Sequence, residues 1–292
     1  MSFGTPIDLG EFDVPGRGRG VLDVFRRHYL LRLLVRKGTA TRYRNSVLGW
    51  VWSYVKPAAQ FIIYYFVMGI ILDFHRGIEN FPVYLFSGIV AVNLFNEAFG
   101  NATTSIVDNR ALVKKIYLPR ELFPVAAIIV AFIHFLPQLA ILLIVCLLVG
   151  WTPTLMGLGG ILVGLLIVLA LALGLGLFFS ALNVRFRDAQ NFVELIKMFS
   201  TWTSPVLYPW IMVYTQLENH SWIFTLYTWN PLTVAVELFH DGFWADTTTG
   251  TGDEFFPGFG TALLIAAIIC VGMLLIGQLV FRRLERSFAQ DL

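Results

Sequence analysis

The sequence predicts an all-α polytopic membrane protein with six transmembrane helices, an N-terminal amphipathic interfacial helix and both termini in the cytoplasm. Three observations carry this prediction. Hydrophobic residues make up 57% of the 292 and charged residues only 14%, whereas a soluble domain carries about 25% charged residues. Mean hydropathy is +0.71. Long apolar runs alternate with short polar connections, and about 20 apolar residues suffice for a helix to cross the hydrocarbon. Lysine and arginine are confined almost wholly to alternate connections, the pattern of a chain whose basic loops stay on the cytoplasmic side.

Residues 1–20 read as a flexible cytoplasmic tail. Gly16-Arg17-Gly18-Arg19-Gly20 has no packing capacity, and the stretch holds no apolar core of signal type. Residues 21–46 read as an amphipathic interfacial segment. Over Val21–Lys37, Leu22, Phe25, Tyr29 and Leu33 recur at three- and four-residue steps, while Arg26, Arg27, Arg32, Arg36 and Lys37 bring positive charge. Such a helix lies in the interface with its arginines at lipid phosphates.

The transmembrane domain is assigned to residues 47–281. The first crossing, Trp52–Leu72, opens on Trp50, Trp52 and Tyr54, amphipathic aromatics suited to headgroup level. Lys56 can snorkel to the same level, and Pro57 begins or kinks the helix. The second crossing is Pro82–Asn101. A cytoplasmic segment, Ala102–Glu121, follows, with a short helix expected over Asn109–Tyr117 before Pro119. The third crossing is Leu122–Val149 with a bend at Pro137, and the fourth is Leu155–Leu182. Gly160 and Gly164 there have the spacing that lets helix backbones approach closely. Asn183–Asp188 is a cytoplasmic turn. The fifth crossing is Phe192–Val213, the exterior segment Tyr214–Gly260, and the sixth crossing Thr261–Phe281. Residues 282–292 form a cytoplasmic tail.

The charge count sets the direction. Nine Lys/Arg precede Ser46, four lie in Ala102–Glu121, two in Asn183–Asp188 and three after Phe281, together eighteen of 21. Lys56 and Lys197 fall near the cytoplasmic ends of crossings, and Arg76 alone lies outside. Tyr214–Gly260 holds no Lys or Arg but six acids, among them Glu237 and Asp241. These acids read as a solvated or headgroup-facing set.

Reactive chemistry is scarce. The five histidines have no metal-ligand spacing, and no phosphate-binding loop or nucleophile elbow occurs. Cys146 and Cys270 both fall in apolar runs. His134 is the one ionisable candidate near mid-membrane, and an interhelical hydrogen bond is its expected use. Nothing in the pattern implies a nucleic-acid partner. The chain reads as a passive subunit driven by another protein. A short helix such as Asn109–Tyr117, apolar on one side, can dock into a groove on a soluble partner or rest on lipid.

Five pieces in order now carry a resemblance. Tyr43-Arg44-x-Ser46-x-Leu48-Gly49-x-x-Trp52-x-x-x-x-Pro57 resembles the entry to the first membrane helix of ABC-2-type exporter permeases. Leu112–Pro124 (LVKKIYLPRELFP) is similar to their loop before the third helix, and Asn183–Gln190 (NVRFRDAQ) to their turn between the fourth and fifth. Ser204–Pro209 (SPVLYP) and Asn230–Phe239 (NPLTVAVELF) match the end of the fifth helix and the exterior segment. The likeness is to the Wzm-type branch, which exports lipid-linked polysaccharides, and within it to actinobacterial cell-wall galactan exporters.

The resemblance implies a homodimer in the inner (plasma) membrane with two Wzt-type ATPase subunits. It implies no cofactor on this chain, since ATP and magnesium would sit on the partner. The ATPase-coupling elements would be Leu112, Val113, Lys114, Lys115, Ile116 and Tyr117, with Arg185, Arg187 and Asp188 nearby. Phe25, Arg26, Arg27 and Tyr29 would belong to the interfacial gate helix. Pro231–Phe243 would be a short exterior gate helix between crossings five and six, with Asn230 before it and Pro231 and Glu237 within it. Asn230 suits an N-cap and Pro231 the first helical position.

Aromatic residues make up 15% of the chain. Sugar rings present C–H faces that can slide over aromatic rings, and transport requires weak contacts at many sites. Tyr54, Phe61 and Tyr65 on the first helix and Phe199 and Trp202 on the fifth are the candidates for a substrate path, with packing against neighbours as the alternative. Three rival readings are a drug or lipid exporter of the same family, a membrane-embedded glycosyl or acyl transferase, and an ion-coupled carrier.

Overall fold

The computed structural model describes residues 24, 27–41, 49–115, 118–217, 220–248 and 255–292. These residues are helices and their connections. Phe25, Arg26, Tyr43–Leu48, Ile116 and Tyr117 of the expected motifs lie outside them. Helix α1 spans His28–Thr41 and contributes no buried residue. Helix α2 spans Trp52–Tyr64 with Pro57 inside it, and continues as a wider π-helical stretch, Tyr65–Ile71. A short α3, Phe74–Gly77, leads to α4, Phe81–Asp108, which runs seven residues beyond the predicted second crossing. The expected connecting helix is observed as α5, Arg110–Lys115. Helices α6, Leu122–Val149, and α7, Leu155–Arg185, follow.

The predicted fifth crossing is not one helix. Its apolar run divides into α8, Ala189–Trp202, a non-helical break over residues 203–209, and α9, Trp210–Gln216. At 14 residues α8 reaches about 21 Å, short of a hydrocarbon core of about 30 Å. The cause is local. Pro205 and Pro209 each lack an N–H and push the preceding residue away from helical geometry. Side chains then pair the freed carbonyls. Tyr84 donates to the Pro205 carbonyl at 2.7 Å, with the Tyr208 carbonyl at 3.1 Å. The Thr203 carbonyl accepts from Thr233 (3.1 Å) and Asn230 (3.2 Å), and that of Trp202 accepts from the Tyr208 hydroxyl. Broken backbone at membrane depth is tolerated only when it is paired within protein in this way.

Helix α10, Ser221–Thr228, precedes α11, Pro231–Phe243. Asn230 caps α11 by accepting from the Leu232 N–H at 3.1 Å, and Pro231 occupies the first turn, as the sequence predicts. Helix α12, Phe259–Leu284, is followed by a 3-10 turn, Glu285–Ser287, and α13, Phe288–Asp291. Five helices among the described residues are long and apolar enough to cross a membrane: α2 with its π stretch, α4, α6, α7 and α12.

Packing makes α4 and α7 the centre of the bundle, with α6, α8, α11 and α12 against them. Three-quarters or more of the apolar window of α4 is buried, 78%, against 11% for α2. Helix α2 is therefore an outer helix that needs lipid or another chain for cover. Close backbone approach seats α11 on α7. A Cβ on Gly164 would lie 3.1 Å from both the Ala235 carbonyl oxygen and the Phe239 ring, so the expected small-residue contact is made. One end of the bundle gathers α5, the α7–α8 turn and the end of α12, with their basic residues; we call it the basic end. The other gathers Asp73, Glu79, Asp241 and Asp246, and is tied by Trp244 Nε1 to the Glu79 carbonyl (2.7 Å) and Trp151 Nε1 to the Gly242 carbonyl (3.0 Å).

Candidate translocation groove

A polar stripe runs along one face of α4. Asn93, Asn96, Glu97, Asn101 and Thr104 stand at steps of three, one, four and three residues, which places them on one helical face. They line an open groove of about 580 Å3 with residues of α2, α6 and α8. Helix α2 adds Trp52, Ser53, Lys56, Pro57 and Gln60; α6 adds Gln138; α8 adds Glu194 and Lys197. Five of the lining residues are carboxamides. The two lysines and two glutamates cancel in formal charge.

Hydrogen bonds fix these side chains. Asn93 Nδ2 donates to Gln60 Oε1 at 3.1 Å, joining α4 to α2. Ser200 Oγ donates to Asn96 Oδ1 at 2.8 Å, joining α8 to α4. Lys197 Nζ pairs with Glu194 at 2.8 Å. The lysine can lie across α4 because Gly100 leaves space there: a Cβ on Gly100 would already sit 3.4 Å from Nζ. At the wall of the groove, Ser53 Oγ and His134 Nδ1 are 3.2 Å apart, the interhelical hydrogen bond expected of His134.

Carboxamides both donate and accept, so an unfilled groove of this composition matches the hydroxyl-rich edge of a sugar. Formal neutrality gives it no preference for a free ion of either sign. A second cleft of about 410 Å3 lies between α1, α4 and α6 and shares Asn101 and Thr104 with the groove. Lys37 Nζ donates to Asn109 Oδ1 at 2.7 Å there, tying α1 to the end of α4.

The sequence-predicted path residues are distributed differently. Phe61 and Tyr65 stack on each other at 5.9 Å and pack against α4, Phe61 edge-on to Phe86 at 5.3 Å and Tyr65 on Phe81 at 6.2 Å. Tyr54 is half-buried, while Phe199 and Trp202 are exposed on α8. None of the five borders the groove. The coupling candidates share the basic end: Val113 is buried, Leu112 half-buried, and Lys114, Lys115, Arg185, Arg187 and Asp188 are exposed. The Arg185 guanidinium lies 5.5 Å from the centre of the Phe186 ring. Tyr29 is exposed and Arg27 half-buried.

Glu237 corrects the sequence reading. It is not a solvated exterior acid but only 6% exposed, inside α11 with every residue from Pro231 to His240 buried. Its carboxylate lies 3.7 Å from His240 Nδ1, and the Tyr84 ring stacks on the imidazole at 3.9 Å. Its neighbours are His240, one turn on, and through His240 the Tyr84 ring on a distant helix. The groove residues on α4 were missed as well, although their helical spacing was visible in the sequence as an amide stripe through an apolar run.

Comparisons with known proteins identify relatives of this chain. The family model described as "ABC-2 type transporter" matches residues 29–244, from α1 to the end of α11. The chain is 28% identical over 265 residues to the O-antigen export system permease protein RfbA of Klebsiella pneumoniae, covering 90% of this chain and 95% of that one. It is 29% identical over 191 residues to the protein of the same name from Myxococcus xanthus, covering 65% of this chain and 72% of that one. It is 24% identical over 256 residues to the polysialic acid transport protein KpsM of Escherichia coli, covering 85% and 90%. With its apolar helices, its paired helix break and a family match over most of its length, the chain is a multi-pass membrane protein that belongs to the ABC-2 type transporter family.

Proposed function

We propose that this chain is the permease of an ATP-driven exporter that moves a lipid-linked polysaccharide across the inner membrane, with a cell-wall galactan as the first candidate cargo. The amide-lined groove along α4 is the observation that carries this reading. Its donors and acceptors suit sugar hydroxyls, and its scattered polar groups suit the weak contacts at many sites that a conducting path needs. The relatives named for export of O-antigen and transport of polysialic acid favour a polysaccharide over a drug.

In this account two copies assemble. Helix α2, almost uncovered in one chain, and α8, with Phe199 and Trp202 exposed, face the second copy across the path. The basic end faces the cytoplasm. Two Wzt-type ATPases dock on Leu112–Tyr117 and the Arg185–Asp188 turn, bind ATP and magnesium, and close on nucleotide. That closure is passed to α4 and α7, the lipid-linked glycan enters past α1, and the exposed rings of α8 give it sliding contacts. The α11 helix, buried at the acidic end, closes the far side of the path.

Depletion of the protein in cells tests the reading. The expected result is a lipid-linked polysaccharide that accumulates on the cytoplasmic side while its extracellular form disappears. Unchanged surface polysaccharide, with loss of some other exported compound, would contradict it.

A further inference from the structure

Residues 285–292 fold back onto the basic end. Phe288 on α13 is 1% exposed and stands edge-on to Phe281 of α12, at 5.4 Å and 88°. It belongs to an apolar cluster distinct from the main core. The same cluster holds Val113 of α5 and Ala181 and Val184 at the end of α7. The cluster thus joins the two elements assigned above to the ATPase, α5 and the end of α7 before its turn, with Phe288 as one of its members.

Polar contacts reinforce the joint. Arg120, between α5 and α6, donates from Nη1 to the Glu285 carbonyl, which also accepts from the Phe288 N–H. A cation there also meets the negative end of the helix dipole. The same guanidinium lies over the Phe288 ring, its Cζ 5.5 Å from the centroid. The adjacent Glu121 is fully buried and accepts from Gln278 of α12 at 3.1 Å. The connection leaving α5 is therefore pinned to α12 by side chains on two successive residues.

We propose that residues 285–292 act as a clamp that makes α5 and the Arg185–Asp188 turn move as one rigid body, with Phe288 and Arg120 as positioning residues. Close-packed clusters transmit displacement because they do not deform continuously. A helix of six residues cannot hold its own orientation by backbone hydrogen bonds alone. Without the clamp, α5 would swing under the ATPase while α7 and α12 stayed still. The inference rests on the coupling role proposed above and adds the element that makes it effective.

The test uses the full complex of permease and ATPase in lipid nanodiscs. Cys146 and Cys270, the two cysteines of the chain, are replaced by alanine. In complexes isolated through a tag carried by only one of the two permease copies, spin labels are placed on that copy alone by Ala111→Cys on α5 and Gln190→Cys beyond the turn, both exposed. Pulsed electron paramagnetic resonance then measures their separation with and without ATP. The clamp predicts one narrow distance, unchanged by nucleotide, in the wild-type background. In Phe288→Ala the distribution broadens and shifts with ATP, ATP hydrolysis persists, and glycan moved per ATP falls about two- to thirtyfold, the size of a mutational change in coupling. Phe288→Leu restores the narrow distance. Should Phe288→Ala fail to assemble, the same measurement on Arg120→Ala decides. A wild-type distance that already shifts with nucleotide would overturn the proposal, as would a variant keeping both its narrow distance and its transport per ATP. Cross-linking from Ala111→Cys to the ATPase is scored separately. Its absence counts against the docking assignment, whereas the distance data speak to the clamp.

Discussion

Tyr84 is buried and Tyr227 half-buried with its hydroxyl enclosed, and the two predict opposite responses to the same change. The Tyr84 hydroxyl donates to the Pro205 carbonyl at 2.7 Å, in the break that follows α8. Replacing it by phenylalanine keeps the ring, its stack on His240 at 3.9 Å and its edge contact with Trp244 at 5.0 Å. The loss is then one hydrogen bond plus a buried carbonyl in a segment with no helical N–H to replace the donor. A net hydrogen bond is worth about 1 kcal/mol and an orphaned buried group about 1–3 kcal/mol, while side-chain hydrogen bonds in membrane proteins average about 0.6 and reach about 1.7 kcal/mol. Tyr84→Phe should therefore cost about 1–2 kcal/mol. Tyr227 differs in that its hydroxyl has no hydrogen-bond partner among the described residues. Burial pushes this phenol well above its ordinary range, so the hydroxyl is uncharged and its removal relieves a desolvated group. Tyr227→Phe should be neutral or stabilising by up to about 1 kcal/mol. Reversible unfolding of the purified protein by SDS in mixed micelles compares the two. If Tyr227→Phe lost as much stability as Tyr84→Phe, the hydrogen-bond accounting of the helix break would be wrong.

Two further predictions concern packing. Gly164→Leu places a side chain where a Cβ already meets the Ala235 carbonyl and the Phe239 ring at 3.1 Å; overpacking of this kind costs about 1–3 kcal/mol, and unfolding in mixed micelles should show a loss in that range, against little change for Gly272→Leu, where a Cβ meets nothing. Cys146 and Cys270 are both buried, at 0% and 4% exposure, so a maleimide should modify neither in the folded protein and both after denaturation, as read by intact mass.

The crossings that the structure retains were legible because hydropathy and length suffice for them. Trp52–Leu72 and Leu122–Val149 needed only an apolar run and its flanks, whereas Pro231–Phe243 came from the family resemblance, with Asn230-Pro231 agreeing as a local start signal. The break in the fifth crossing was not legible, because hydropathy over Phe192–Val213 does not register two prolines whose freed carbonyls are paired by Tyr84 and Asn230 from elsewhere in the chain. Glu237 was misread for the same reason. An acid in a segment without Lys or Arg reads as solvated unless the fold that buries it is known. The groove was partly legible: Asn93, Asn96, Glu97 and Asn101 mark one face of α4, but only the packing of α2, α6 and α8 around them makes that face a groove. Aromatic content drew attention to Phe61 and Tyr65, whose rings pack on Phe86 and Phe81.

The account turns on whether polysaccharide passes along α4, and site-specific photo-cross-linking in cells measures this directly. A benzophenone amino acid is placed in turn at Asn93 and Asn101 in the groove and at the exposed Leu264 and Leu275 of α12 outside it. The account predicts adducts between permease and glycan at Asn93 and Asn101, lost when the partner ATPase cannot hydrolyse ATP, and none at Leu264 or Leu275. Adducts at the outer positions with none in the groove would contradict it.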